Sequence, residues 1–532
     1  MSLKNLCLVI DANQAYMRNI DPNVDFSLQN EVLFSAMTDT YIPLLNLFTK
    51  LESENIPFKV GLVISSQLAQ LLSDQDIQNQ YIDFLDRSIA LGQSEIKRTK
   101  GTEFYKQVEA TLENFQKTKN DFITSYAKNL AKAFAEFARK DLIELIPTAA
   151  TYAYLPHIAD LPEALNAQVE TGLYSQRLFF NETGEGFFLP FLGYTEEIDK
   201  VLRSYNRCYT IVDPRSILFC NDVVNTGIFR PVLSENSLVL LANDLEAVSM
   251  ITGEEGFITN EVYRSPAKDI GFELDLNELK PFLGKSSLRS ATLYRYWKKG
   301  FDDPGEEVEV YEEDEAFAQA RKDAETFVQV QSEKIAKAAD FLSGISASSV
   351  CVLPAELLGG KWHEGIVFFE EVIRRIAQSE KGITLELCRN LISDGTKFQK
   401  IKPLPSAGDE SGYGENMLDA SNSWMFRYIR KATERMIDIA DRLPSETSLK
   451  GRLMNLAAKE ILLAQSGQWL LMLHDGKLTD YVTESFKKQV LSFTTVFNAL
   501  ASNTVSTEWL TKKERQDAIY PWMNYRIFSK KK

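Results

Sequence analysis

Short apolar runs alternate with longer amphipathic segments in the first part of the chain. The run LCLVI at 6–10 ends at Asp11, residues 29–53 carry apolar side chains on one helical face, and FKVGLVIS at 58–65 is again apolar. Apolar runs of this length are typical of strands buried on both faces of a parallel sheet. The alternation of strand, helix and strand therefore predicts an α/β fold.

Further strands are predicted along the chain at 142–148, 207–213, 238–243 and 349–355. Most of them end at a polar residue or a proline, as strands do where they enter a loop. In barrels of alternating strands and helices, the loops at the carboxyl ends of the strands carry the functional site. Residues 95–145 interrupt this rhythm, because they are long, rich in Lys, Glu and Gln, and helix-periodic. This pattern predicts a helical pair inserted into the α/β part.

The last part of the chain has a different character. Residues 403–416 are rich in Gly, Pro and Ser, which favours either a domain boundary or a mobile loop at a site. Three long amphipathic segments follow at 423–443, 449–473 and 481–502. They predict a C-terminal helical domain.

Charge and hydropathy narrow the classes of function. The formal net charge is −15, which disfavours nucleic-acid binding because phosphate contacts need a basic surface. A neutral polymer such as a glucan is indifferent to that charge. No apolar run approaches the ~18 residues that a membrane span needs, and the N-terminal run is better explained as a first strand than as a signal peptide.

Cysteine and histidine usage adds two further expectations. The five cysteines are scattered and form no CxxC pair, so neither a disulfide framework nor a zinc site is expected, and a cytoplasmic location is the simplest. The three histidines, His157, His363 and His474, are far apart in the sequence. A histidine-based triad or metal site is therefore not expected, and we predict no metal and no other cofactor.

Seven segments, in order along the chain, resemble segments of glycoside hydrolase family 57, in particular its 1,4-α-glucan branching enzymes. They are LVIDANQAYMRN (8–19), TAATYAYLP (148–156), GFFLPFLGY (186–194), EEGFITNEVYRSPAKDIGFEL (254–274), PAELLGGKWHEG (354–365), KEILLAQSGQW (459–469) and YPWMNYRIF (520–528). Each match is short, but their joint order and spacing extend over nearly the whole chain.

The resemblance implies both a fold and a chemistry. The fold is an α/β, incomplete (β/α)7 barrel with a helical insertion and a C-terminal α-helical domain. We assign residues 1–90 and 146–402 to the two parts of the barrel, 91–145 to the insertion and 403–532 to the helical domain. The chemistry is retaining glycosyl transfer, which requires two carboxyl groups about 5–5.5 Å apart.

Neither carboxyl is present at its expected position. The family's nucleophile, the Glu of Leu-Pro-Glu-Cys-Gly-Tyr, aligns with Phe191, and its acid/base, the Asp of Asp-Ala-Glu-Leu-Phe-Gly-His, aligns with Pro354. A phenyl ring cannot attack an anomeric carbon, and a proline ring has no proton to give a leaving oxygen.

The supporting positions have changed as well. Residues of other types stand where the resemblance implies four histidines and one aspartate; they are Asp11, Asn13, Tyr152, Gly360 and Gln468. The flanking motif residues still match. We therefore predict a pseudoenzyme that keeps the fold without the chemistry.

Two alternatives remain open at this stage. Asp11 and Glu356 could form a rebuilt catalytic pair in an active branching or amylase-type enzyme, or Asp11 could simply be hydrogen-bonded in a polar pocket. Four aromatic residues in segments near the cleft are either core residues or glucan-stacking residues; they are Tyr194, Trp362, Trp424 and Trp469. Against glucan binding, Phe191 would occupy the space of the cleaved bond, and Ala407-Gly408 stands where the family has Trp-Gly.

The expected partner is an α-glucan or a glucan-metabolising enzyme. The identity of a protein partner and the oligomeric state are left open by the sequence.

Overall fold

The computed structural model describes residues 4–20, 27–283, 289–300, 309–343, 345–379, 382–392, 398–502, 504 and 506–530. Within these residues the strands are β1 (Lys4–Ala12), β2 (Val60–Ile64), β3 (Ile143–Leu145), β4 (Gly186–Phe188), β5 (Tyr209–Val212), β6 (Val232–Leu233), β7 (Val239–Ala242), β8 (Ala347–Pro354) and β9 (Thr384–Leu385).

The strands form two sheets that together make a barrel. One sheet has the order β3-β2-β1-β8 with parallel pairing, and the other has the order β4-β5-β7, also parallel, with β6 antiparallel at its edge. Single parallel bridges between Thr148 and Phe188 and between Asn243 and Val350 join the two sheets. Among the described residues, seven parallel strands thus follow one another around a ring, which confirms the predicted barrel.

Helices cover the outside of this ring. Before β3 they are Ser27–Ala36, Ile42–Ser53, Ser66–Ser73, Gln75–Arg98, Tyr105–Asn120 and Leu130–Arg139. Between β3 and the end of the barrel they are Pro162–Phe180, Glu196–Ser204, Arg215–Leu218, Leu245–Thr252, Ile270–Glu273, Leu276–Leu279, Glu313–Phe341, Gly365–Gln378 and Cys388–Leu391. Those of the C-terminal part are Ser423–Arg442, Ser448–Ala464, Gly467–His474, Thr479–Ser502 and Thr507–Gln516. In the described parts of the chain, no helix is both long enough and apolar enough to cross a lipid bilayer.

The helices differ from the predicted pattern in two places. The predicted insertion, residues 91–145, starts inside helix Gln75–Arg98. It also includes β3 (Ile143–Leu145), which is a strand of the barrel. The segment 449–473 is two helices rather than one, since Ser466 leaves the helical path and pairs with Ala153 in an antiparallel bridge. The three boundaries between the assigned ranges stay predictions.

The barrel interior is filled by side chains from β1, β2, β4, β5, β7 and β8 and by Ile146, which follows β3. Alternate residues point inward, among them Val9, Val63, Phe188, Ile211 and Val352, and they form one apolar cluster. Phe191, in the loop after β4, packs against this cluster and also against a second cluster that belongs to the C-terminal helices. The interior is therefore a packed core, and Phe191 covers it at the carboxyl ends of the strands.

Candidate functional site

The carboxyl end of β1 is the centre of the barrel mouth. Asp11 lies near the end of this strand, paired with Val63 of β2 on one side and with Pro354 of β8 on the other. Since β1 and β8 pair in register along eight residues, Pro354, the position at which the resemblance places the family's acid/base, lies directly beside Asp11. The Pro354 ring itself is exposed.

Asp11 is half-buried, and only one of its two carboxyl oxygens is hydrogen-bonded. The hydroxyl of Tyr152 donates a hydrogen bond to Oδ2 of Asp11, whereas Oδ1 is buried and has no hydrogen-bond partner. Burial raises the pKa of the Asp11 carboxyl to about 7, although the hydrogen bond from Tyr152 works in the opposite direction. Asp11 is therefore a carboxyl that is readily protonated near neutral pH.

Phe191 occupies the middle of the mouth. Its backbone is left-handed, with φ 55° and ψ 23°, and Leu192 and Tyr152 have φ values of 52° and 50°. The ring of Phe191 meets the ring of Tyr152 edge to face, with centroids 5.0 Å apart. It also lies so close to Gly467 of the C-terminal part that a Cβ there would collide with it.

A hydrogen bond between Gln468 and Asn13 links the C-terminal part of the chain to the end of β1. The side-chain amide of Gln468 donates to Oδ1 of Asn13, so that Gln468 and Gly467 reach back to the β1 end. Six residues thus form a ring of contacts across the mouth, which we call the mouth ring; they are Asp11, Tyr152, Phe191, Gly467, Gln468 and Asn13. Gly360 lies in the loop after β8, where a Cβ would be 3.1 Å from the carbonyl oxygen of Glu356.

A second carboxyl near the mouth belongs to Glu356, two residues after the end of β8. Glu356 is exposed and forms an ion pair with Lys361 at 2.7 Å. Its charge contributes to raising the pKa of Asp11, which places the two carboxyls within electrostatic range of each other. The structure therefore brings together the two residues of the rebuilt-pair alternative, but Glu356 already has a cationic partner.

The histidines lie in separate surroundings. His157 packs against Tyr154 and Phe426, and burial lowers its pKa to about 4. His474 bonds Asp419 at 2.6 Å, and His363 lies beside Tyr311 and Phe317. Among the described residues there is no group of three His, Cys, Asp or Glu side chains that could hold a metal ion.

Three of the four candidate glucan-stacking rings lie in the core. Tyr194 and Trp362 are 1% exposed and Trp469 is 0% exposed, so these rings present no face to a ligand in this structure. The Trp469 indole donates to the carbonyl of Leu463 at 3.1 Å, and the Tyr194 hydroxyl to Asp199 at 3.1 Å. Their burial is the outcome expected of core aromatics.

Trp424 differs from these three. It is half-buried, packs edge-on against Phe486 and lies 6.3 Å from Tyr428, which is 41% exposed. Trp424 is therefore the candidate whose ring keeps access to solvent.

Arg215 fastens the loop 403–416 to the barrel, a role that the sequence analysis did not assign. It pairs with the fully buried Asp213, which follows β5, at 2.7 Å, and donates to the carbonyls of Asp409 and Glu410 at 2.7 and 2.6 Å. Asp409 in turn accepts the backbone N–H groups of Gly414 and Glu415. The signal in the sequence was Asp213 at a strand end, but its partner could be found only in three dimensions.

Profiles of known families match both parts of the chain. Residues 7–350 match glycosyl hydrolase family 57, and residues 428–528 match the C-terminal part of 1,4-alpha-glucan branching enzymes. The chain belongs to glycosyl hydrolase family 57.

Relatives of this family member share its fold along nearly its whole length. A 1,4-alpha-glucan branching enzyme of Thermococcus kodakarensis is 22% identical over 505 residues, which are 89% of this chain and 70% of the relative. The alpha-amylase AmyC of Thermotoga maritima has a TM-score of 0.91 and 26% identity over 100% of both chains. A branching enzyme of family 57 from Pyrococcus horikoshii has a TM-score of 0.86 and 20% identity, covering 99% of this chain and 97% of its own.

The raised pKa of Asp11 predicts a pH-dependent stability. The folded protein keeps a proton on Asp11 up to about pH 7, whereas the unfolded chain releases it near pH 3.8, so this stabilising contribution is complete at low pH and is lost as the pH rises through 7. In Asp11→Asn the loss is absent. Urea titrations measure the free energy of unfolding of both proteins at each pH. Between about pH 4 and about pH 8, this free energy should fall in wild type by on the order of 2–4 kcal/mol more than in Asp11→Asn.

Asp83→Asn is the matched control, because Asp83 is exposed on helix Gln75–Arg98. It should follow the wild-type pH dependence. Parallel curves for wild type and Asp11→Asn would contradict the protonated state of Asp11.

The Arg215 contacts predict that the loop 403–416 loses protection in Arg215→Lys. Lysine keeps the charge beside Asp213 but cannot bridge to both carbonyls. We expect the amides of Gly412 and Gly414 to exchange about 10- to 100-fold faster, because charge-assisted hydrogen bonds contribute roughly 1.5–3 kcal/mol each. Hydrogen-exchange mass spectrometry measures this, with β1 as an internal control that should not change. Unchanged exchange in the loop would show that Arg215 does not fasten it.

Proposed function

We propose that this chain is a non-catalytic member of glycosyl hydrolase family 57, a pseudoenzyme that binds α-glucan or regulates a glucan-metabolising enzyme. The observation that carries the proposal is the identity of the residues at the two carboxyl positions implied by the resemblance, Phe191 and Pro354. Retaining transfer needs a nucleophile and an acid/base on opposite sides of the same bond, and neither side chain can serve in these roles.

The packing of Phe191 supports the proposal further. Its ring is wedged between Tyr152 and Gly467, and its carbonyl accepts the Gly408 N–H at 2.8 Å. A phenyl ring held in this way fills the mouth with apolar surface at the position where the family's nucleophile would meet an anomeric carbon. The mouth ring thus joins the barrel to the C-terminal helices, with packed apolar surface at the position of the family's nucleophile.

A second candidate function is an active glucan enzyme that uses Asp11 and Glu356. The observation in its favour is the raised pKa of Asp11, because a carboxyl that is protonated near neutral pH is suited to general acid catalysis. Against it, Tyr152 engages one oxygen of Asp11, and Glu356 is neutralised by Lys361.

The location and partners follow from the proposed role. We place the protein in the cytoplasm, which suits five cysteines that are all unpaired. Its partner would be an α-glucan, a glucan-metabolising enzyme or both. The half-buried Trp424, with Tyr428 beside it, is the aromatic surface that we assign to glucan contact.

The proposal predicts no turnover of amylose. Purified protein should change neither the iodine colour nor the number of reducing ends, whereas an active amylase or branching enzyme of the family serves as the positive control. Fading of the iodine colour with few new reducing ends would mean branching and would overturn the proposal. In that case Asp11→Asn and Glu356→Gln should each abolish the activity, whereas Asp83→Asn should leave it unchanged.

Glucan binding predicts a specific effect of Trp424→Ala. Loss of the stacking surface should weaken retention in amylose-containing affinity gels roughly three- to tenfold, since aromatic stacking contributes about 0.5–1.5 kcal/mol. Trp509→Ala, which removes a half-buried indole from helix Thr507–Gln516, is the matched control. Equal retention of the two variants would show that Trp424 does not contact glucan. If wild type itself is not retained, regulation of a partner enzyme is the remaining role.

A further inference from the structure

A cavity of about 260 Å³ lies away from the mouth ring. It is lined by the π-helical segment Met37–Tyr41, by helix Tyr105–Asn120, by the start of helix Glu313–Phe341 and by the loop that carries His363. Two arginines line it, Arg264 and Arg295. Nothing in the proposed pseudoenzyme role uses this cavity.

Arg264 is a buried cation without a direct partner. The residue is 8% exposed, yet its guanidinium donates no hydrogen bond and forms no ion pair within 4.0 Å to any residue that the structure describes. Its backbone N–H, by contrast, donates to Oε1 of Glu364 at 3.1 Å. The Arg264 side chain lines the cavity, and its guanidinium nitrogens are open to that space, where a ligand or water can accept from their five N–H donors.

Arg295 beside it is only loosely paired. Its guanidinium lies 3.6 Å from Asp269 and 3.7 Å from Asp39, which is beyond hydrogen-bond distance, and its Nε is buried without a hydrogen-bond partner. Asp269 is already engaged, because it accepts backbone N–H groups from Gly271, Thr292 and Leu293. Arg295 therefore also keeps donor capacity for a ligand.

The rest of the lining is mixed in character. Phe115, Leu293 and Phe317 supply apolar walls, and Gln107 has a buried Oε1 without a hydrogen-bond partner. The carboxyls of Asp39 and Glu313 also line the cavity; burial raises the pKa of both, whereas the charge of Arg264 lowers it. The cavity thus offers two guanidinium donors, two carboxyls, one amide acceptor and an apolar surface.

We propose that this cavity binds a small phosphorylated organic ligand, with its phosphate on Arg264 and Arg295. A phosphate group has three terminal oxygens and a charge of about −1.5 to −2, which matches two guanidinium groups better than the single charge and two oxygens of a carboxylate do. A hydroxyl group of the ligand would donate to Gln107, and its carbon skeleton would lie against Phe115, Leu293 and Phe317. The volume of about 260 Å³ suits a ligand no larger than a hexose phosphate, since it lies just below the roughly 300–1,000 Å³ of most small-molecule sites.

Calorimetric titration tests the site with three probes: glucose 6-phosphate, inorganic phosphate and glucose. We expect glucose 6-phosphate to bind wild type more tightly than either of the other two. Arg264→Gln should weaken its binding about 10- to 100-fold, because a charge-assisted hydrogen bond contributes roughly 1.5–3 kcal/mol. Arg442→Gln is the matched control, since Arg442 forms an exposed ion pair with Asp438 on a surface helix.

Several results would overturn the proposal. They are no binding of glucose 6-phosphate to wild type, equal binding of glucose and glucose 6-phosphate, and equal loss in Arg264→Gln and Arg442→Gln. Should Arg264→Gln not fold, Arg264→Lys gives the same comparison, because lysine keeps the charge and loses the fork of donors. Calorimetric binding does not depend on amylose turnover. Failure of this proposal can therefore be distinguished from failure of the proposed function.

Discussion

The pairing of β1 with β8 is the constraint on which the mouth of the barrel depends. The two strands run in parallel register from Lys4 and Ala347 to Asp11 and Pro354, and β1 is paired with β2 on its other side. This central position buries β1 on both faces and fixes where its polar end emerges. A shift by one residue would turn Asp11 away from Tyr152 and Asn13 away from Gln468. The contacts that join the barrel to the C-terminal helices therefore rest on a strand register set deep in the core.

Much of this fold could be predicted from the sequence. The strands with continuous apolar runs, such as 6–10 and 349–355, lie where the pattern placed them, because burial on both faces leaves no room for polar residues. The strands β6 and β9, of two residues each, were missed because they are too short to leave a periodic signal. The helix break at Ser466 was missed as well, since it depends on a pairing with Ala153 that is remote in sequence.

The site was less predictable, for physical reasons. Sequence motifs located the mouth positions, but whether an indole lies in the core or faces a ligand depends on the elements packed around it, as Trp362 and Trp424 show. The left-handed backbone of Tyr152, Phe191 and Leu192 carries no local signal, because these residues rarely adopt it and tertiary packing enforces it here. Arg264 gave no signal either, since an unpartnered guanidinium is recognised only when its neighbours are known.

The contact between Phe191 and Gly467 has a consequence for the history of this molecule. The phenyl ring occupies the space of any side chain at 467, so that position can hold only glycine while Phe191 stands. Conversely, a smaller side chain at 191 would leave a gap against the barrel core and beside the ring of Tyr152. Positions 152, 191 and 467 are thus mutually dependent, and a substitution at one of them requires a compensating change at another. In evolutionary terms the contact is epistatic, because it restricts the order in which substitutions at the mouth can be accepted.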